Sequence, residues 1–274
     1  MTGPGLLFAI LALLAVVGLG WWVVRRRRRE QLRASPIPEG WRSLLEVRVP
    51  LYRRLPALMR KRLHGHIHVF LAEKQFVGCN GLQITEEMKW IVAAQACLLI
   101  LNRKDWCFPD LYSILIYPGA YRVRVEEPIG GYVVSESNEV RAGESWSRGE
   151  VVFSWEDVVR DTMAPDHGSN VVLHEFTHQL DQEDGSVDGV PVLKRSSGYD
   201  GWAKIFRREY KQLRLALRQR RATVIDPYGA TNPAEFFAVS TETFYCIPEQ
   251  MQQEHPELYG VLQEYYGVDP ATWL

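Results

Sequence analysis

The chain has few cysteines and no Cys-x-x-Cys pair. Cys79, Cys97, Cys107 and Cys246 stand alone among apolar neighbours, which reads as reduced thiols rather than a disulfide framework and points to a reducing compartment. An excess of either charge is also missing. With 32 Lys and Arg against 33 Asp and Glu, the net charge is -1, so a dedicated basic nucleic-acid binder is excluded and no direct nucleic-acid partner is expected. There is no internal repeat, and no low-complexity tract after residue 29, which excludes solenoids and fibrous arrays. Hydrophobic residues at 46% and charged residues at 24% fit a folded chain rather than a disordered or multi-span membrane one. At 274 residues it holds one large domain, or two small ones, plus an appendage.

The first 24 residues lack charge entirely, and Arg25-Arg26-Arg27-Arg28-Arg29 follow. Leu6 to Val24 is an apolar run of 19 residues, about 28 Å long as a helix and close to a ~30 Å hydrocarbon core. Trp21 and Trp22 close the run, where indoles favour an interface. A signal peptide wants positive charge ahead of its apolar core, and residues 1–5 have none. The expectation is one N-terminal transmembrane helix, with residues 6–24 in the inner membrane and the rest cytoplasmic. The domain layout expected is an anchor over 1–29, a linker over 30–40 marked by Pro36, Pro38 and Gly40, and a catalytic domain over 41–274.

Leu51 to Leu71 reads as one or two helices. Thr85, with Glu86 and Glu87 behind it, caps a long apolar helix reaching about Asn102. Short β-rich runs follow at 113–117, 121–125, 131–135 and 149–155, and helical patterning returns after Trp155. Helix, then strands, then helices indicates an α+β fold.

The chemistry-bearing segment begins at Ser169. Val172, Phe176 and Leu180 repeat every four residues, the buried stripe of a helix capped by Ser169 or Asn170. His174 and His178 share this spacing, so both imidazoles leave one face a turn apart, as two ligands of one tetrahedral ion require. Glu175 stands beside them, able to reach a metal-bound water without being a ligand. A catalytic zinc needs a third protein ligand. Downstream, Asn232 and Pro233 open another helix carrying Glu235 and Glu242, seven residues apart on one face. Glu235 also occupies the capping-box position three after Asn232, so spacing leaves both glutamates open.

His174-Glu175-x-x-His178, followed by Tyr228-Gly229-x-Thr231-Asn232-x-x-Glu235-Phe236-Phe237, resembles the gluzincin metallopeptidases, and in particular the Mlc titration factor A family. That family is related in fold to the catalytic domain of anthrax lethal factor. The resemblance covers most of residues 40–270. It implies a zincin-like domain with a small mixed sheet and an active-site helix. It implies one zinc ion on His174, His178 and Glu235, with Glu175 as general base and Tyr228 near the reacting carbonyl. It further implies an aminopeptidase-like activity on peptide or protein substrates, and a transcriptional repressor of sugar-transport genes as a partner. The apolar run and the arginines depart from the soluble members.

A regulatory binding protein with a mainly structural zinc site is the alternative, and a zinc hydrolase of non-peptide substrates a weaker one. His64, His66 and His68 read as a solvated helix end. Asp181 is either a partner of a ligand imidazole or a solvated helix-end carboxylate. Glu150 to Trp155 is either a substrate-pairing edge strand or a core strand.

Overall fold

The computed structural model describes residues 3–103, 107–119, 121–129, 133–141, 143–144, 149–193 and 198–273, with the backbone alone for 3–6, 8–9 and the strands within 121–144. Four helices come first: α1 (Gly3–Ala34), α2 (Glu39–Arg48), α3 (Pro50–Arg54) and α4 (Ala57–Glu73). Strand β1 (Gln75–Gly78), helix α5 (Glu86–Leu98) and strand β2 (Ser113–Tyr117) follow. Next are β3 (Tyr121–Ile129), β4 (Val133–Arg141), β5 (Gly143–Glu144) and β6 (Glu150–Ser154). The chain then returns to helices: α6 (Trp155–Met163), α7 (Val171–Asp181), α8 (Gly198–Arg218), α9 (Pro233–Cys246), α10 (Pro248–Glu254) and α11 (Pro256–Tyr266).

The start signals act as side-chain physics dictates. Thr85 Oγ1 accepts from Met88 N at 3.2 Å. Asn170 Oδ1 accepts from Leu173 N and Asn232 Oδ1 from Glu235 N, each at 3.0 Å. Each side chain satisfies an amide that has no partner inside its own helix.

The α+β expectation with a small mixed sheet needs correction. Helices dominate, and the sheet has the order β1-β2-β6-β5. Its body is three parallel strands, β1 on β2 and β2 on β6, and only the two-residue β5 runs antiparallel, on β6. The run at 121–125 does not join this sheet: β3 pairs with β4 in a separate antiparallel ribbon. The run at 131–135 lies partly outside the described residues. Parallel neighbours need a long crossover. Between β1 and β2 that crossover is α5, and β1 itself is too short to stand out in the sequence.

The membrane anchor is also corrected. Among the described residues no helix is long and apolar enough to cross a membrane. Arg25 to Arg29 do not form a separate basic stop after the helix: they lie within α1. Nor do those arginines end the helix, which continues to Ala34 through the first residues of the expected linker. Arg29 binds Glu73 of α4 through two nitrogens, at 2.7 and 2.6 Å. Arg25 reaches the same carboxylate at 3.4 Å. The guanidinium groups of Arg25 and Arg26 lie over the rings of Trp21 and Trp22, 5.2 and 5.3 Å from their centroids. The basic run thus makes tertiary contacts. The inner-membrane location with a cytoplasmic domain rested on the anchor and falls with it.

Two aromatic clusters set the helices around the site. Phe70 of α4, Phe108, Phe153 of β6 and Phe176 of α7 pack ring to ring, with Phe108 and Phe176 4.7 Å apart. Phe176 is fully buried, so this cluster holds α7 on the sheet. Trp202 and Phe206 of α8 stack at 4.0 Å and meet Phe236 and Phe237 of α9 edge-on. That cluster fixes the neighbouring helix.

The histidines of α4 are not a solvated end. They lie within the helix, and His66 is only 6% exposed. His64 Nε2 pairs with the Tyr52 hydroxyl at 2.8 Å, and His68 stands edge-on to Trp90. The four thiols are free, and Cys97, Cys107 and Cys246 are buried.

Candidate metal centre and active site

Helices α7 and α9 pack side by side and bring three of the sequence-nominated residues together. His174 Nε2 lies 2.9 Å from Glu235 Oε2, and His178 Nε2 lies 3.5 Å from the same oxygen. The two Nε2 atoms are 3.3 Å apart. Among the described residues, His174, His178 and Glu235 form the one group of three or more such side chains with converging ligand atoms. Bonds of about 2.0–2.2 Å in a tetrahedral site put neighbouring ligand atoms roughly 3.3–3.5 Å apart. The triangle has the size and the N,N,O donor set of that face.

Glu242 belongs to the other side of His174. The imidazole Nδ1–H donates to Glu242 Oε1 at 2.7 Å, and Asn170 N donates to Oε2 at 2.5 Å. A carboxylate on Nδ1 makes that nitrogen the donor, so a cation that displaces the Nε2 proton would meet the lone pair on the triangle side. The seven-residue spacing that made the glutamates look like rivals gives them different tasks, because one helix face carries them to opposite edges of the same ring. Glu235 does not close a capping box. Its carboxylate turns to the histidines, while Asn232 alone caps α9.

The electrostatics match this arrangement. Burial works to raise the Glu235 carboxyl, but His174 and His178 outweigh it and pull the group down to about 2. Burial alone would lower the His174 imidazole, yet Glu242, Glu235 and Glu175 hold it well above the usual histidine range. The Glu242 carboxyl is pushed up by burial, against the pull of His174 and the Asn170 amide. In the metal-free protein, three carboxylates surrounding one imidazole favour its protonated form, the arrangement a cation would replace.

Glu175 is buried on α7 beside the ligand pair. Tyr228 lies in a 3₁₀ turn, Pro227–Ala230, that abuts α9. Its ring centroid is 5.9 Å from that of His174, and the residue is 55% exposed. Its backbone is held by Asp226, whose Oδ1 accepts from Tyr228 N at 2.8 Å.

Neither expectation for Asp181 holds. The side chain is fully buried, and Oδ2 accepts from Gly189 N at 2.9 Å. Among the described residues, His178 Nδ1 has no hydrogen-bond partner. Burial pushes the Asp181 carboxyl up to about 6. Gly189 has φ +78°, and a Cβ there would meet Pro233 O at 2.4 Å. Trp202 Nε1 donates to its carbonyl at 3.1 Å. The loop after α7 is therefore clamped against the start of α9, two residues before Glu235. Only a side-chain-free residue fits that approach. The Asp188-Gly189 pair is a turn signal, but its place against α9 was not readable from it.

Core residues support the site from behind. Asn170 Nδ2 donates to Gln95 Oε1 at 2.6 Å, and Gln95 Nε2 to Thr162 Oγ1 at 2.9 Å. Val171 N donates to Asp161 Oδ2 at 3.0 Å. These bonds fix the first turn of α7, and with it the start of the ligand helix.

Comparison with known proteins identifies the family. Residues 22–267 match the family described as glucose-regulated metallo-peptidase M90. An uncharacterized protein of Synechocystis sp. is 46% identical over 244 residues, 89% of each chain. The protein named Mlc titration factor A in Pectobacterium atrosepticum is 29% identical, over 86% of this chain and 88% of its own length. Its namesake in Serratia proteamaculans is 30% identical over 85% and 88%. The chain is a member of the glucose-regulated metallo-peptidase M90 family.

Proposed function

We propose that this metallopeptidase-family protein is a zinc-dependent peptidase, aminopeptidase-like in its action. The observation that carries the reading is the triangle of His174 Nε2, His178 Nε2 and Glu235 Oε2, with edges of 2.9, 3.3 and 3.5 Å. Those three residues would hold the ion. Zinc bound there would supply Lewis acidity toward the scissile carbonyl and toward a water molecule. The protein's own groups do the rest. Glu242 fixes the His174 tautomer, which would keep Nε2 available to hold the ion. Glu175 takes the proton of the attacking water and delivers it to the leaving amine. The Tyr228 hydroxyl donates a hydrogen bond to the carbonyl oxygen as negative charge develops there.

The test is hydrolysis of a peptide library by the purified chain, with and without chelator, alongside Glu175→Gln. The amide keeps the shape of Glu175 but cannot accept the water's proton. The expected result is retained zinc and a rate lowered at least ~10²-fold. A metal-replete Glu175→Gln that hydrolyses peptides normally would overturn the catalytic reading.

A second reading is regulatory, a protein that binds a transcriptional repressor. It draws on the name Mlc titration factor A carried by relatives of about 30% identity. The two readings coexist if repressor binding uses a surface away from the ligand triangle. They separate if repressor binding survives in a metal-free, inactive Glu235→Ala variant.

A further inference from the structure

Charge on this chain is segregated, although its sum is small. Residues 204–221 hold eight Lys or Arg against a single acid, Glu209. That is a net of +7, so with a total of -1 the rest of the chain stands at -8. Lys204, Arg207, Lys211, Arg214 and Arg218 recur at steps of three and four along α8 and are all exposed. At about 100° per residue they fall within an arc of about 80°, and at about 1.5 Å per residue the row is roughly 21 Å long. The opposite face of α8 carries the buried Trp202, Phe206 and Leu213. Asp200 is the one acid on the row, a turn before Lys204.

Among the described residues, Lys204, Arg207, Lys211 and Arg218 have no carboxylate within ion-pair distance. Arg214 has only the Tyr210 ring beneath it, at 5.6 Å. Arg208, at the edge of the row, is the one already paired, with Glu209 and Glu257. Lys204, Arg207, Arg208 and Lys211 line a shallow cleft of about 450 Å³, with Asp200 and Ala203 at its side. The basic row continues past the helix end at a conformational cost. Arg220 sits at φ +54°, in the left-handed region where glycine is the ordinary choice. Leu215 lies on the flank of the row and is 50% exposed.

We infer that this face of α8 is a docking surface for an acidic helical segment of a partner protein. Carboxylates spaced three and four apart on a helix repeat every ~5.4 Å, the pitch at which the cations stand on α8. The exposed Leu215 offers an apolar contact among the charges, as protein interfaces use. A long polyanion fits less well. A nucleic-acid duplex extends beyond the row and meets a molecule that is otherwise net acidic. A short acidic segment interacts within about one Debye length, ~8–10 Å at physiological salt, and so experiences the row alone. The row also lacks exposed aromatic residues on which unpaired bases would stack.

The test uses the full chain and a labelled synthetic helical peptide with glutamates at three–four spacing, read by fluorescence anisotropy at 50 and 150 mM salt. A scrambled peptide of the same composition and a 20-base-pair duplex serve as competing probes. The expected result is saturable, salt-sensitive binding of the patterned peptide. It should weaken about tenfold or more for the scrambled peptide and for Lys204→Glu/Arg207→Glu/Lys211→Glu/Arg214→Glu, since several exposed ion pairs of modest strength add up. If circular dichroism shows that variant unfolded, the corresponding four glutamine substitutions give the same reading. A lysine-patterned peptide should bind the charge-reversed variant. Equal binding of the scrambled peptide, unchanged binding by the variants, tighter binding of the duplex, or loss of binding on neutralising Arg26, Arg27 and Arg28 instead would each overturn the inference.

Discussion

Glu242→Gln probes how the centre is held together. Glu242 is buried and accepts two hydrogen bonds, from His174 Nδ1 at 2.7 Å and from Asn170 N at 2.5 Å. Glutamine keeps the shape but offers one acceptor and one amide donor. With its oxygen on Asn170 N, its NH₂ faces His174 Nδ1. The imidazole must then move its proton to Nε2, which aims an N–H into the ligand triangle. With the amide reversed, the Asn170 N–H at the start of α7 faces another donor. Either arrangement opposes metal binding. Loss of such a hydrogen-bonded support typically costs 10–100-fold in metal affinity, about 1.4–2.8 kcal/mol. The assay is zinc competition against a chromophoric chelator at fixed pH, with Glu235→Ala as the reference for loss of a direct ligand. Glu235→Ala should lose most of the metal, and Glu242→Gln should fall between it and the parent. Affinity within twofold of the parent, with an unchanged melting temperature, would refute the reasoning. Weaker binding in Glu242→Gln than in Glu235→Ala would make Glu242 the ligand instead.

Three further outcomes are expected. Tyr228→Phe should keep zinc and melting temperature near the parent while kcat falls about 10²–10³-fold and KM changes little, the signature of a lost oxyanion donor. A kcat within about a factor of two, together with a lower melting temperature, would assign Tyr228 to packing. Gly189→Ala should lower stability by about 1–3 kcal/mol and weaken metal binding, because it forces a Cβ onto Pro233 at the head of the Glu235 helix. Gly81→Ala is the control: its φ is +80° with nothing within 4 Å, so it bears the backbone cost alone, and equal metal loss in both variants would refute the clamp. Burial, assisted by nearby arginines, lowers His66 and His64 to about 4, against about 6.5 in the unfolded chain. Between those values the unfolded state binds more protons, so stability should be full above pH ~6.5 and fall as pH drops toward 4. For His66 the loss amounts to at most about 3 kcal/mol, and His64, less buried, contributes less. Urea midpoints from pH 4.5 to 7 should slope less steeply in His66→Gln, and an unchanged slope would refute this assignment.

Some elements were open to reading because the forces behind them are local. The caps Thr85, Asn170 and Asn232 act within three residues of themselves, and the four-residue stripe of Val172, Phe176 and Leu180 needs only helical geometry. The same geometry put His174 and His178 on one face with Glu175 beside them. The anchor reading failed at the same local level. An apolar run followed by arginines is scored without knowing that Arg25 and Arg29 close on Glu73, 48 and 44 residues away. The histidines of α4 were misread similarly, since three basic residues before them suggest solvent while Tyr52 and Trp90 cover them.

The ligand helix, the paired imidazoles and the two glutamates of the second helix were legible in the residue pattern, because i, i+4 and i, i+7 relations follow from 3.6 residues per turn; the choice of Asn170 over Ser169 as the cap was not. Which glutamate does what depends on packing between helices. The packing of α9 against α7 carries Glu235 to the Nε2 side of His174 and Glu242 to its Nδ1 side. Tertiary packing also decided that Asp181 clamps a loop through Gly189 instead of supporting His178. Those assignments depend on the distance and rotation between two helices more than fifty residues apart, set by Phe176 against the sheet and by Trp202 and Phe206 against Phe236 and Phe237. No periodicity within either helix encodes them.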